Sequence, residues 1–319
     1  GVASVRCCLY SGNPGHNAGT DPLRAEATAF FLAQPVRYAV TSGAEVAYRR
    51  FGAGPPVVFV HGWPFNGFTY RALAYRLRDA HTCIVIDLPG TGESRWSART
   101  DFSFPGQAAT LAEMATGLGL HRYAVVAHDT GASIARHLAD PESGPGQAPG
   151  RARLDRLLLF NTEIPGHRPP WIPFYAQLVR VPGAHRLFAP LFRARAFRRS
   201  AMGFGGCYAD PALLDGDFRR YILDPVIASP TKARGLAKYL QGLDWGRIDD
   251  FARLHPTLDL PVRLIWGAAD PTFPVELGRA MSETFPACAG FTAIPRAKLL
   301  VYDEFAEAVH PHVAAFLAA

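Results

Sequence analysis

Two hydrophobic rhythms alternate along the chain. Short, nearly continuous apolar runs recur at 36–41, 45–51, 56–60, 82–87, 123–127, 154–160, 262–266 and 290–294. Runs of this length and composition predict strands buried on both faces of a sheet. Between them, apolar residues fall at helical spacing over 70–77, 107–117, 132–139, 274–284 and 303–317. A leading hairpin followed by strand–helix alternation predicts a doubly wound, mostly parallel eight-stranded α/β sheet. The alternation breaks at 165–259, a stretch rich in aromatic residues, arginine, proline and glycine. That stretch is expected to form a helical cap inserted into a core made of 36–164 and 260–319. Residues 1–35 read as an N-terminal extension without the basic start and apolar centre of a secretory signal.

Composition narrows the picture only a little. The chain has 319 residues, 49% of them hydrophobic and 19% charged. No apolar run is long enough to span a bilayer, so no membrane partner is expected. Formal net charge is +6 and the isoelectric point is near 9.2. The densest cluster is Arg186, Arg193, Arg195, Arg198 and Arg199, which reads as a solvated basic face. No nucleic-acid-binding motif accompanies it, so no nucleic-acid partner is expected. The five cysteines, Cys7, Cys8, Cys83, Cys207 and Cys288, fit neither a zinc site nor a disulfide framework. A reducing cytoplasm is the expected setting. No metal or other cofactor motif is visible, and the oligomeric state is not legible.

The chemistry concentrates where strands end. In Val125-Val126-Ala127-His128-Asp129-Thr130-Gly131-Ala132 an apolar strand gives way to a small-residue helix. This is the layout of a nucleophile elbow, with Ala127 and Gly131 small enough for the tight turn. Asp129 stands at the nucleophile position. An ordinary carboxylate is ionised at neutral pH and needs no base to attack. The alternative is that Asp129 only caps the helix behind it. After another buried strand comes His61-Gly62-Trp63-Pro64. There Gly62 would allow close backbone approach, and the N–H groups of Trp63 and Thr130 would form an oxyanion site for an ester on Asp129. His61 reads as a buttress of its loop rather than a base, and His128 as pointing away from Asp129.

These pieces resemble the epoxide-hydrolase and haloalkane-dehalogenase branch of the α/β-hydrolase superfamily. The matching motifs are His61-Gly62-Trp63-Pro64, Asp87-Leu88-Pro89-Gly90-Thr91-Gly92-Glu93-Ser94, His128-Asp129-Thr130-Gly131 and Trp266-Gly267-Ala268-Ala269-Asp270, in family order across 36–317. The resemblance implies Asp129 as nucleophile and Asp270 as triad acid, with Glu163 as a backup acid. It also implies a proton donor among the cap tyrosines Tyr175, Tyr208, Tyr221 and Tyr239, of which Tyr239 is the first choice. Thr130 stands where dehalogenases place a halide-binding tryptophan, which favours the epoxide-hydrolase side. The family's histidine would fall at Leu299 or Leu300, or at Tyr302 with a shifted loop, and none of these is a histidine. His167, at the cap entrance, is the candidate for a relocated base.

Three functions stay open. One is an epoxide-hydrolase-like enzyme with an atypical or relocated base. A second is a cofactor-free biosynthetic enzyme catalysing a non-hydrolytic rearrangement, cyclisation or ring opening, with Asp129 as acid or base. The third is a catalytically inactive ligand-binding homologue. The expected ligand is an apolar or aromatic small molecule. His61, Trp63, Trp171, Phe174, Tyr175 and Tyr208 are expected to line its pocket.

Overall fold

The computed structural model describes residues 22–142, 144–147 and 150–319. The first 21 residues of the expected N-terminal extension lie outside the described residues, together with Cys7 and Cys8. The rest of that segment holds an element the hydrophobic pattern did not predict, helix α1 (Pro22–Ala33). Phe31 of α1 is buried and meets Phe51 and Phe68 edge to face.

The sheet begins with the antiparallel pair β1 (Arg37–Val40) and β2 (Ala44–Phe51). It continues through β3 (Pro56–Val60), β4 (Thr82–Ile86), a two-residue strand β5 (Arg95–Trp96), β6 (Arg122–His128), β7 (Arg153–Phe160), β8 (Val262–Gly267) and β9 (Cys288–Ile294). The order across the main path is β1-β2-β4-β3-β6-β7-β8-β9, with β5 pairing at the side of β2. From β4 to β9 neighbouring strands run parallel. This is the expected α/β-hydrolase architecture. Helices α2 (Arg71–Leu77), α3 (Phe104–Gly117) and α4 (Thr130–Ala139) follow β3, β5 and β6. Ser103 caps α3 by accepting from the Gly106 N–H at 3.1 Å.

The chain leaves the sheet after β7 and returns at β8. Between them stand short helices, among them Ile172–Leu178, Phe188–Arg193 and Arg195–Arg199, and the longer helix Pro230–Gln241. The predicted final helix is split at Phe305 into Val301–Glu304 and Ala306–Ala318. Asp303, at the split, is buried. Arg71 donates to it at 2.8 Å, and Tyr208 donates to it at 2.5 Å. Arg24 of α1 also reaches it, so one carboxylate joins α1, α2, the cap and the last helical segment. No helix among the described residues is long and apolar enough to cross a membrane.

Candidate active site

Strand β6 delivers Asp129 into a turn with φ 52° and ψ −138°. A residue with a side chain holds such a conformation only when its surroundings enforce it. The enforcing contacts come from the end of β7. The Asp129 N–H donates to the Asn161 carbonyl at 2.8 Å, and the Thr162 hydroxyl donates to the Asp129 carbonyl at 2.9 Å. Gly131 is needed two residues on, because a Cβ there would stand 2.2 Å from the His61 carbonyl oxygen.

The carboxyl of Asp129 faces a cavity of about 400 Å³ beneath the cap. Its Oδ2 accepts the Trp63 N–H at 2.9 Å. Gly62 permits that approach, since a Cβ on it would fall 2.2 Å from Oδ2. The Thr130 N–H favours the ionised carboxylate, and the Thr130 hydroxyl donates to Oδ2 at 3.4 Å. The Trp63 indole N–H donates to the Leu236 carbonyl of helix Pro230–Gln241 at 3.0 Å, tying the donor loop to the cap.

Three acids surround the elbow. Burial raises Asp129 well above its ordinary range, and the Glu163 and Asp270 charges push the same way against the Thr130 and Trp63 N–H groups. Burial lifts Asp270 to about 7, opposed by the Thr272 N–H and the Asn161 amide. Asp270 accepts from these at 2.8 Å and 2.6 Å. Glu163 is turned under helix α4, where it accepts the Ser133 hydroxyl at 2.7 Å. Burial raises it too.

No histidine lines the cavity among the described residues. His61 is fully buried. It lies 2.8 Å from the Gly62 carbonyl through Nδ1 and accepts the Leu88 N–H through Nε2 at 2.9 Å, so it holds two loops together. The expectation that it lines the pocket is corrected. His128 is pushed down to about 3 by burial, with Nδ1 3.1 Å from the Tyr302 hydroxyl. His167, the expected relocated base, spends Nε2 on the Thr272 carbonyl at 2.8 Å, outside the cavity lining. That expectation fails because the ring is turned to the Thr272 backbone and does not line the cavity that holds Asp129. In the loop where the resemblance places a histidine, Leu299 faces the cavity. Tyr302 instead stacks on Tyr70 at 4.3 Å.

The cap tyrosines are also reassigned. Tyr239 is fully buried and off the cavity, with its hydroxyl 2.9 Å from Thr130 Oγ. It supports the elbow instead of facing a ligand. Tyr208 is committed to Asp303 and does not line the cavity either. Phe174 points outward, 54% exposed. Trp63, Trp171 and Tyr175 do line the cavity, and Tyr175 donates to the Met202 carbonyl at 2.6 Å.

The sequence reading missed Asn161, Arg199 and Lys298. Asn161 stands two residues before Glu163, the backup acid. Lys298 adjoins the vacant histidine position, a signal available from the sequence. Arg199 reaches the cavity only through the path of the cap.

The soluble epoxide hydrolase of Corynebacterium sp. (strain C12) is 33% identical over 101 residues, which are 32% of this chain and 35% of that protein. Haloalkane dehalogenase 2 of Mycobacterium tuberculosis (strain ATCC 25618 / H37Rv) is 31% identical over 103 residues, which are 32% of this chain and 36% of that protein. The match thus spans about a third of each of these two relatives. The solved structure of the epoxide hydrolase CorEH without ligand superposes with a TM-score of 0.73 at 20% identity, covering 89% of this chain and 98% of that one, a likeness of fold. The sequence profile of the alpha/beta hydrolase family matches residues 57–311, and the chain belongs to that family.

Proposed function

We propose that the protein is an epoxide-hydrolase-like enzyme that uses Asp129 as nucleophile on an apolar or aromatic epoxide and releases the product without an imidazole. The observation that carries this reading is the pose of Asp129 at the cavity floor, with Oδ2 held by the Trp63 N–H at 2.9 Å. Oδ1 attacks a ring carbon, the ring C–O bond breaks, and its electron pair stays on the former ring oxygen. Tyr175, the tyrosine among the lining residues, gives that oxygen its proton on leaving the Met202 carbonyl. The Trp63 and Thr130 N–H groups then hold the carbonyl oxygen of the ester. A general base typically contributes about 10²–10⁴-fold. Without an imidazole, hydrolysis of the ester is the slow step.

A second reading is favoured by the clustering of Asp129, Glu163 and Asp270 in a buried site. Like charges and burial keep a proton on such a group, so Asp129 would serve as a general acid for a non-hydrolytic ring opening or rearrangement. The two readings have opposite pH dependence. Attack by Asp129 needs its ionised form and accelerates as pH rises. Acid catalysis by Asp129 needs the protonated form and slows.

Intact-mass measurement after incubation with styrene oxide at several pH values tests both. The expected result is the mass of one styrene oxide on the peptide containing Asp129, formed faster at higher pH and absent in Asp129→Asn. Rearranged product without adduct, formed faster at low pH, replaces the first reading with the second. Neither adduct, diol nor rearranged product overturns both.

A further inference from the structure

Charge in the cavity is sparse and unevenly matched. The acidic and basic side chains on its lining are Asp129, which burial disfavours as an anion, and the cations Arg199 and Lys298, among residues that are otherwise mostly apolar. Arg199 is already paired, reaching Asp215 at 2.7 Å and 2.9 Å. Lys298 is half-buried, and its Nζ donates to the Gly205 carbonyl at 3.0 Å. No carboxylate of the described residues lies within 4.0 Å of it. An ammonium has three N–H donors. A half-buried cation without a counter-ion is a desolvated charge that an anion would stabilise.

The wall above it has the same sign. Residues 164–209 contain seven arginines and neither aspartate nor glutamate. This stretch forms much of the cavity lining, from Pro170 to Cys207. Arg195, Arg198 and Arg199 share one carboxylate, Asp215, while Arg168 pairs with Asp249. Two carboxylates therefore answer four of the seven guanidiniums, and Arg199 is the one of the seven on the cavity lining. A cleft walled by one sign of charge focuses its field and gathers the opposite sign.

We propose that the ligand of this cavity is an amphipathic carboxylate, with its apolar or aromatic body against Phe188, Leu191 and Phe192 and its anionic group on Lys298 Nζ. This rests on the cavity being the substrate site, but not on ester formation at Asp129. Lys298 thus selects the substrate rather than replacing the missing base.

Calorimetric titration with 2-naphthoate and with its uncharged counterpart 2-naphthamide tests the proposal. In the wild-type protein the acid is expected to bind about tenfold tighter than the amide, an advantage that shrinks with added sodium chloride. Lys298→Met brings the two within about twofold, while Lys298→Arg keeps most of the preference. Equal binding of acid and amide, a preference that survives Lys298→Met, or no binding of either at millimolar concentration overturns the proposal. An intact styrene oxide adduct beside a flat charge preference removes the anion and keeps the ester chemistry. A strong preference without an adduct does the reverse.

Discussion

Asn161 donates its side-chain amide to Asp270 at 2.6 Å. The same asparagine accepts the Gly267 N–H through its side-chain oxygen at 2.8 Å and the Asp129 N–H through its backbone carbonyl. One residue at the end of β7 therefore fixes both the elbow and the acid. Asp270 has an amide and a backbone N–H as donors where the resemblance would supply an imidazole. Neither donor titrates near neutrality, so the acid keeps its own buried character.

That character has a sign that can be measured. Asp270 titrates near 7 in the fold against an ordinary 3.8. Within this window the folded protein holds a proton that the unfolded chain has released. Stability therefore falls as pH rises, by about 1.4 kcal/mol per pH unit and on the order of 4 kcal/mol in total. Urea denaturation from pH 4 to pH 8 should show a steeper decline for the wild-type protein than for Asp270→Asn. Parallel curves across that window would mean that Asp270 is ionised in the fold throughout.

Leu299 faces the cavity in the loop that would carry the family's histidine. Leu299→His is expected to speed cleavage of a styrene oxide ester on Asp129 by about 10²-fold, within the ordinary reach of a general base. Single-turnover kinetics followed by mass spectrometry would show the adduct decaying as diol accumulates. An adduct that decays no faster than in the wild-type protein shows that this position lies out of reach of Asp129.

The two tyrosines should separate cleanly. Tyr175→Phe is expected to slow adduct formation by about 10²-fold, as loss of a general acid does. Tyr239→Phe removes a hydroxyl buried against Thr130. It should cost about 1 kcal/mol of stability and change the adduct rate only a few-fold. The reverse pattern of rates would return the proton-donor role to Tyr239.

Asp303 offers a test of the frame. It is buried with Arg71, which it meets at 2.8 Å. Removing one partner of a buried pair leaves the other uncompensated, so Asp303→Ala should lose about 3–5 kcal/mol in urea denaturation. A loss below about 1 kcal/mol means that Arg71 finds another partner or water.

The elbow and the sheet were legible because their signals are local. A strand's apolar run, a small residue either side of Asp129 and the start of α4 all lie within one short stretch. Helix α1 was not legible, since its burial depends on Phe51 and Phe68, which lie beyond it in the sequence. The facing of cap residues was illegible for the same reason. Tyr175 and Tyr239 both sit in apolar helical surroundings, and only the path of the cap turns one toward the cavity and the other toward Thr130. The fate of His167 was settled by the Thr272 carbonyl, 105 positions away.

Trp63 gives the protein a mechanical property as well as a chemical one. Its backbone N–H steadies Asp129 while its indole grips the Leu236 carbonyl on the roof. Any displacement of that roof would pull on the residue that holds the floor. The position of the Asp129 carboxyl and the position of the roof are thereby tied through one residue.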